Sequence, residues 1–368
     1  MQKKVMRFKS RNSDERNSTQ HSSRRVVRHN FHQSRSTQQG SHEDYQKNDS
    51  YHKPLFAQNR PKAIQSPEQQ EQALRDSQKK GKDFFAQRYE QLGGDCAPVR
   101  LREAIRINPY LINEQVMVAR LKALGVEVEK IPFAQHGYWV RARFSLGAIQ
   151  EHFLGLYYVQ EAAAQLPVSV LAPSSTDTVL DACASPGGKT SQLSEVMSGK
   201  GLIVSLERKE HRMPALLHNL ERMRVPNVVV YEYDAGEAGR LGMEFDKILL
   251  DAPCSGNYAS DAEWFDKRDF AGVMTSVSIQ RRLLGETVKL LKPGGVLVYS
   301  TCSLEPEENE LNVQWILERG GVVLEDTGLQ AGIPGLTNVF GRTLHSSISL
   351  CRRFGLHKLA LKVFLLQN

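Results

Sequence analysis

Several things are scarce in this 368-residue chain, and each scarcity closes a class of function. No apolar run approaches the roughly 18 residues that cross a bilayer, so no membrane association is expected. No charged-then-apolar segment opens the chain as a secretory signal would. Cysteine is sparse, with five residues, an odd number, and no CxxC pair. That argues against a disulfide framework and against structural zinc. A soluble, cytoplasmic, monomeric protein without a metal is the expectation. A GxGxxG run is also absent, which removes the usual pyrophosphate cradle of dinucleotide cofactors.

Positive charge is present in excess, and it sits at one end. The first 60 residues hold 13 Lys or Arg against 5 Asp or Glu, whereas the other 308 hold 35 against 36. This stretch is rich in Ser, Gln, Asn and His and poor in apolar residues, so it cannot bury enough surface to offset the entropy of ordering. Residues 1–92 read as a disordered basic tail, with at most a short helix near Pro67 to Tyr89. Such an arm either raises affinity for phosphates or only solubilises the chain. Asp14 and Glu15 interrupt it too early for a mitochondrial transit peptide.

Residues 93–154 read as a small α+β unit, in which Glu103 to Asn108, Val126 to Ile131 and Tyr138 to Phe144 are extended and Asn113 to Ala123 is helical. Arg106, Arg141 and Arg143 alternate with apolar neighbours, which predicts arginines on one exposed sheet face. Residues 155–368 alternate near-continuous apolar strands (Thr178 to Ala182, Leu202 to Glu207, Val228 to Asp234, Phe245 to Ala252, Gly295 to Cys302) with helices near Thr190 to Met197, Glu210 to Arg224, Ser276 to Leu291 and Pro306 to Arg319. A last strand is expected over Leu359 to Asn368. This is an α/β pattern with a mostly parallel sheet covered on both faces.

The run from Asp181 to Gln192, DACASPGGKTSQ, ends like a phosphate loop at Gly188-Lys189-Thr190. A Walker loop needs a glycine at the position held by Cys183, and Pro186 removes an N–H that such a loop would use. The nucleotide-hydrolase reading is therefore weak. What remains is a strand, a glycine-bearing turn and a helix, which put a ligand at the mouth of the sheet. Ligands in such sheets lie beyond the carboxyl ends of the strands. Four of the five strands end in an acid there. Glu207 suits ribose hydroxyls and Asp234 suits an adenine amino group, although Ala235-Gly236 makes Asp234 equally a turn residue. Without a pyrophosphate cradle, S-adenosylmethionine is favoured over NAD.

Two cysteines follow two different strands, in Asp251-Ala-Pro-Cys-Ser-Gly256 and Ser300-Thr-Cys-Ser303, and are expected to meet over one crevice. Two thiols, an aspartate and a methyl donor fit methylation of a pyrimidine carbon. Cytosine C5 is too weakly nucleophilic until a thiolate adds at C6, and a helix start near Pro306 is expected to lower the thiol pKa. The acidic run Glu305 to Glu310 reads as first-turn acids complementing that helix, not as a metal site.

From about Arg102 to Glu318 the chain resembles the NSUN/RsmB-like family of RNA cytosine-C5 methyltransferases. The matching stretches are Ile105-Arg-Ile-Asn108, Tyr158-Val-Gln-Glu161, Asp181 to Thr190, Asp251 to Gly256 and Tyr299-Ser-Thr-Cys-Ser303. The resemblance implies a class I, Rossmann-like, S-adenosylmethionine-dependent methyltransferase domain preceded by a small RNA-binding-like domain. It implies Cys302 as nucleophile, Cys254 as the thiol that frees the product, Asp251 on the target cytosine and Lys189 orienting the site. Cys183, Ala184, Ser185, Pro186, Gly187, Gly188 and Lys189 would line the methionine end of the cofactor, with Asp251 also facing it, Glu207 the ribose, Asp234 the adenine, and Arg212 on the cofactor side. The plan points to tRNA as first substrate and rRNA as second. The rival readings are a catalytically idle RNA-binding or assembly factor on the same fold and a methyltransferase acting on an amine nitrogen, neither of which has a need for the thiols.

Overall fold

The computed structural model describes residues 80–94, 96–97 and 101–354, and two further strands, β1 (Val5–Arg7) and Leu361–Gln367, by their backbone alone. The basic arm expected over residues 1–92 lies outside the described residues, except for β1 and its final stretch. In that final stretch the short helix allowed near Pro67 to Tyr89 is found, ending two residues further on and docked against the fold. Lys82–Gln91 is a helix whose Phe85 and Tyr89, one turn apart, are buried against Trp264, Val273 and Leu304. The surrounding Ser- and Gln-rich composition hides this aromatic spacing, which is enough to dock one short amphipathic helix.

The small unit forms an antiparallel sheet from β2 (Ala104–Ile107), β3 (Glu127–Lys130), β4 (Gly137–Arg141) and β5 (Tyr157–Val159), in the order β3-β4-β2-β5. The helix Glu114–Ala123 begins where the Asn113 side chain accepts from the Gln115 and Val116 N–H groups, and it buries Met117 and Leu121 against Ile105, Ile107 and Tyr157. β5 pairs with β2, so this sheet extends past the boundary expected at residue 154.

The larger sheet follows the expected pattern. β6 (Thr178–Asp181), β7 (Leu202–Glu207), β8 (Val228–Glu232), β9 (Phe245–Asp251) and β10 (Leu291–Thr301) run parallel in the order β8-β7-β6-β9-β10. Short strands β11 (Val323–Glu325), β12 (Ile333–Pro334), β13 (Asn338–Val339), β14 (Arg342–Thr343) and β15 (Arg352–Phe354) follow, and β16 (Leu361–Gln367) lies antiparallel beside β10. The chain runs outward from β6 through β7 to β8 and then crosses back to β9 on the other side of β6, so the strand order reverses between β6 and β9. A crevice opens outside the carboxyl ends at such a reversal. Leu180, Ile203, Val204, Ile248, Leu249 and Leu297 are fully or almost fully buried, as strands covered on both faces must be.

Arg106 is a second correction. Arg141 and Arg143 are exposed, but Arg106 is only 2% exposed. Its guanidinium donates to Glu195 at 2.8 Å, to the Gly188 carbonyl at 2.9 Å, to Ser191 Oγ at 2.8 Å and, more closely, to Gln160. All four residues of β2 are buried, because the α/β layer covers the face that alternation alone would leave to water. No helix among the described residues is long and apolar enough to cross a membrane.

Candidate active site

The loop after β6 is shaped by its small residues. Ser185–Pro186 is a cis peptide and Gly187 has φ +102°, a conformation that side chains strongly disfavour. At Gly188, where the helix Gly188–Val196 starts, an added Cβ would lie 2.9 Å from the Tyr158 ring. The second residue of that helix, Lys189, reaches across the strand reversal to Asp251 at the end of β9, with Nζ to Oδ2 at 2.7 Å. The other Asp251 oxygen accepts from Ser300 Oγ of β10 at 2.8 Å. Burial opposes the charge on Lys189, but Asp251 outweighs it and holds the amine above its ordinary value.

Around this pair lie the acids expected to meet a cofactor. Asp181 is 1% exposed. Its Oδ2 accepts from Thr190 at 2.6 Å, while Oδ1 is buried with no hydrogen-bond partner among the described residues. Burial pushes its pKa up to about 6, with Asp251 adding and the Thr190 bond opposing. Glu207 Oε1 accepts from the Lys209 N–H at 2.8 Å, and Oε2 lies 3.3 Å from Arg212, which also donates to the Ser185 carbonyl at 2.7 Å. Arg212 stands in a 3₁₀ turn, Glu210–Arg212, just before its helix. Asp234 is differently engaged. Both its oxygens are held by Arg282 at 3.1 and 2.9 Å, and Oδ1 also accepts from the Gly236 N–H at 2.8 Å. Burial opposes ionisation of Asp234, but these partners keep its carboxyl below the ordinary value. An adenine amino group there would have to share the carboxylate with an arginine. The orphaned Asp181 Oδ1 and the partly committed Glu207 suit a ligand that brings hydroxyl and ammonium donors, and so fit the nucleoside and amino-acid parts of S-adenosylmethionine.

One expected outcome follows from Asp181. Its folded-state pKa, about 6, lies above the ordinary carboxylate value, so the folded chain binds the proton more tightly than the unfolded chain. This contribution is fully present below about pH 4 and is lost as pH rises through about 6, a difference of roughly 3 kcal/mol. Glu161, Glu305 and Glu308, all raised chiefly by burial, act with the same sign. Asp181→Asn is therefore expected to flatten the decline in unfolding temperature between pH 4 and 7 relative to the wild type. An unchanged slope would show that Asp181 titrates as an ordinary surface acid.

The two strand-end cysteines meet as expected. Cys254 Sγ lies 2.7 Å from Cys302 Sγ. Cys302 is exposed and Cys254 partly covered. The hydrogen bond from Cys254 is the first cause that lowers the Cys302 thiol, and Lys189 acts in the same direction against burial and the nearby acids. Cys254 is raised well above its ordinary value, first by that same bond and then by burial. Cys183, in the loop after β6, is also pushed up, by burial and then by Asp181, Asp251 and Glu207. Of these three thiols only Cys302 is biased toward thiolate, the nucleophilic form.

The helix start expected to activate it is replaced by something else. Pro306–Glu308 is a single 3₁₀ turn, and the helix Glu310–Leu317 begins beyond it. Glu310 does stand in the first turn of that helix, but the acids of this run are buried and bonded rather than only complementing its dipole. Glu305, Glu308 and Glu310 are 0% exposed, and each takes donors from distant segments. Glu305 accepts from Tyr89 and Arg88, Glu310 from Arg353, and Glu308 from Ser255, Ser303 and Gln280. Sequence reasoning missed these as parts of the site. The available signal was the placement of four acids immediately after a strand-end thiol.

The profile described as 16S rRNA methyltransferase RsmB/F matches residues 168–337, and that of the N-terminal domain of 16S rRNA methyltransferase RsmF matches residues 76–162. A solved structure described as a methyltransferase homolog protein from Pyrococcus horikoshii is 36% identical, covers 83% of this chain and 100% of its own, and superposes with a TM-score of 0.71. The chain belongs to the RsmB/F family of RNA methyltransferases. Within this family, the ribosomal RNA small subunit methyltransferase F of Vibrio atlanticus is 36% identical over 63% of this chain and 50% of its own length. The human 28S rRNA (cytosine(4447)-C(5))-methyltransferase is 36% identical over 58% of this chain and 27% of its own. The chain thus spans about half the length, or less, of these curated RsmB/F-family relatives.

Proposed function

We propose that this chain is an S-adenosylmethionine-dependent RNA cytosine-C5 methyltransferase with Cys302 as nucleophile. The observation that carries this reading is the pair of thiols from two strand ends, 2.7 Å apart, with only Cys302 biased toward thiolate. Cys302 Sγ adds to C6 of a cytosine, forming a C–S bond and pushing an electron pair toward C5. Bound S-adenosylmethionine supplies an electrophilic methyl group for C5. Asp251, steadied by Ser300 and Lys189, holds the polar edge of the base. Once Cys302 sulfur is bonded to carbon it carries no charge, so the largest cause raising the Cys254 thiol disappears. Cys254 then gives its own proton to solvent more readily, its thiolate accepts the C5 proton, and the C6–S bond breaks with its electron pair returning to Cys302 sulfur as the product leaves.

The target base has to leave its stack to reach two cysteines in a crevice, which favours loops and junctions over duplex interiors. The relatives' names weigh ribosomal RNA above the tRNA expected from the chain's plan. Incubation with methyl-labelled S-adenosylmethionine and either rRNA or tRNA, followed by nucleoside analysis, tests this directly. Label in 5-methylcytidine from rRNA is expected. Label from tRNA alone moves the substrate, and label on any nucleoside other than cytidine ends the proposal.

A further inference from the structure

The residues that follow the two cysteines converge on one carboxylate. Glu308, with no exposed surface, accepts from the Ser255 N–H at 3.0 Å, from Ser303 Oγ at 2.6 Å, from Gln280 Nε2 at 2.6 Å and, more closely, from the Ser255 hydroxyl. Ser255 follows Cys254 and Ser303 follows Cys302, and their hydroxyls are 3.2 Å apart. Gln280 also donates to the Pro253 carbonyl at 2.9 Å, so the residue before Cys254 is held by the same group. Glu308 touches neither thiol in these hydrogen bonds. It bonds to the backbone or side chain beside each.

We propose that Glu308 is a positioning residue that sets the separation of the two thiols by joining Ser255 and Ser303. The inference rests on the reading of Cys302 and Cys254 as the reacting pair. A buried carboxylate is costly unless its lone pairs are used, and four donors use them here. Glutamine has the same shape but only one acceptor oxygen. Placed at Oε2, its NH2 group would face the Ser255 N–H and the Gln280 amide head-on; placed at Oε1, it would turn both serine hydroxyls from donors into acceptors, so in either orientation the buried hydrogen bonds that join the two loops must be rearranged. The loops that carry Cys254 and Cys302 would then separate.

Phenylarsine oxide measures this separation without RNA. Two thiols give their protons to the departing oxygen as water while two As–S bonds form, so bridging needs both sulfurs close together and involves no oxidation. In the wild type, rapid capture of one arsenic per chain across Cys254 and Cys302 is expected, mapped by peptide mass. Glu308→Gln is expected to slow bridging at least tenfold, while iodoacetamide still alkylates Cys302 and Cys254 singly. Glu308→Asp, which keeps both acceptor oxygens, is expected to recover part of the loss. In methylation, Glu308→Gln is expected to lower kcat with KM for RNA unchanged. Bridging at the wild-type rate in folded Glu308→Gln overturns the proposal. If that variant does not fold, Ser303→Ala decides the matter, since it removes one of the four donors and must slow bridging in the same direction. Wild-type protein that bridges arsenic but methylates no RNA would defeat the proposed function and leave the positioning role to the bridging data.

Discussion

Replacement of Cys302 by alanine is expected to lower methyl transfer by at least about 10⁴-fold, roughly 5.5 kcal/mol of barrier. Without the sulfur, C5 of cytosine keeps its low nucleophilicity, and neither Lys189 nor Asp251 can supply a carbon bond in its place. Replacement of Cys254 is expected to act at a different point. Addition and methyl transfer still proceed once per chain, more slowly because the Cys302 thiol loses the hydrogen bond that lowers it, and release then fails, so product stops at about one equivalent of protein. The asymmetry follows from the pair's electrostatics, since Cys302 is held below and Cys254 well above the ordinary thiol value. Single-turnover and multiple-turnover assays on both variants separate the two effects. Equal losses in both assays for the two variants would mean that the thiols do not have distinct tasks.

The second large effect is on stability and comes from outside the α/β domain. Arg88, on the helix Lys82–Gln91, lies 3.0 Å from Glu305 and 2.7 Å from Glu307, and Tyr89 donates to Glu305 at 2.7 Å. Burial works against the charge on Arg88, but the two glutamates outweigh it and raise its pKa further. The Glu305 side chain is completely buried. Arg88→Ala leaves a buried carboxylate without its cation, a loss of about 3–5 kcal/mol, measurable by urea unfolding. The penalty is expected to shrink as pH falls. Glu305, already raised by burial, would be raised further without Arg88 and would take up a proton. Adding Glu305→Gln to Arg88→Ala is expected to restore part of the stability at neutral pH. A cost below about 1 kcal/mol would show that the helix is ornamental to the fold. Because Glu305 lies three residues after Cys302, partial unfolding here is also expected to slow methyl transfer before global stability is lost.

The parts of this molecule legible in the sequence were those whose signal is local. Near-continuous apolar strands such as Leu202–Glu207 and Phe245–Asp251 announce a parallel sheet because each is buried on both faces by its own composition. The strand-end positions of Asp181, Glu207, Asp251, Cys254 and Cys302 followed from that pattern and from the crevice rule for such sheets. Where the reading fell short, the missing fact was a partner far along the chain. Arg106 looked like a surface arginine because alternation in β2 cannot reveal that the segment from Gly188 to Glu195 covers its other face. Glu305 to Glu310 looked like helix-start acids because their cations and hydroxyl donors come from Arg88, Ser255 and Arg353. Arg88 is 217 residues from Glu305, beyond the reach of any periodicity. The short helix allowed near Pro67 to Tyr89 lies at Lys82–Gln91, and its docking was missed for a related reason, since its two inward aromatics are diluted by the polar stretch around them and make sense only against Trp264.

The most direct test of the proposed chemistry is to incubate Cys254→Ala protein with S-adenosylmethionine and rRNA, resolve the mixture under denaturing conditions, and map any RNA-bound peptide by mass. A stable adduct on the peptide carrying Cys302, absent from the Cys254→Ala/Cys302→Ala double variant, is the expected result. No adduct with either rRNA or tRNA, or an adduct that survives loss of Cys302, would contradict Cys302 as the nucleophile.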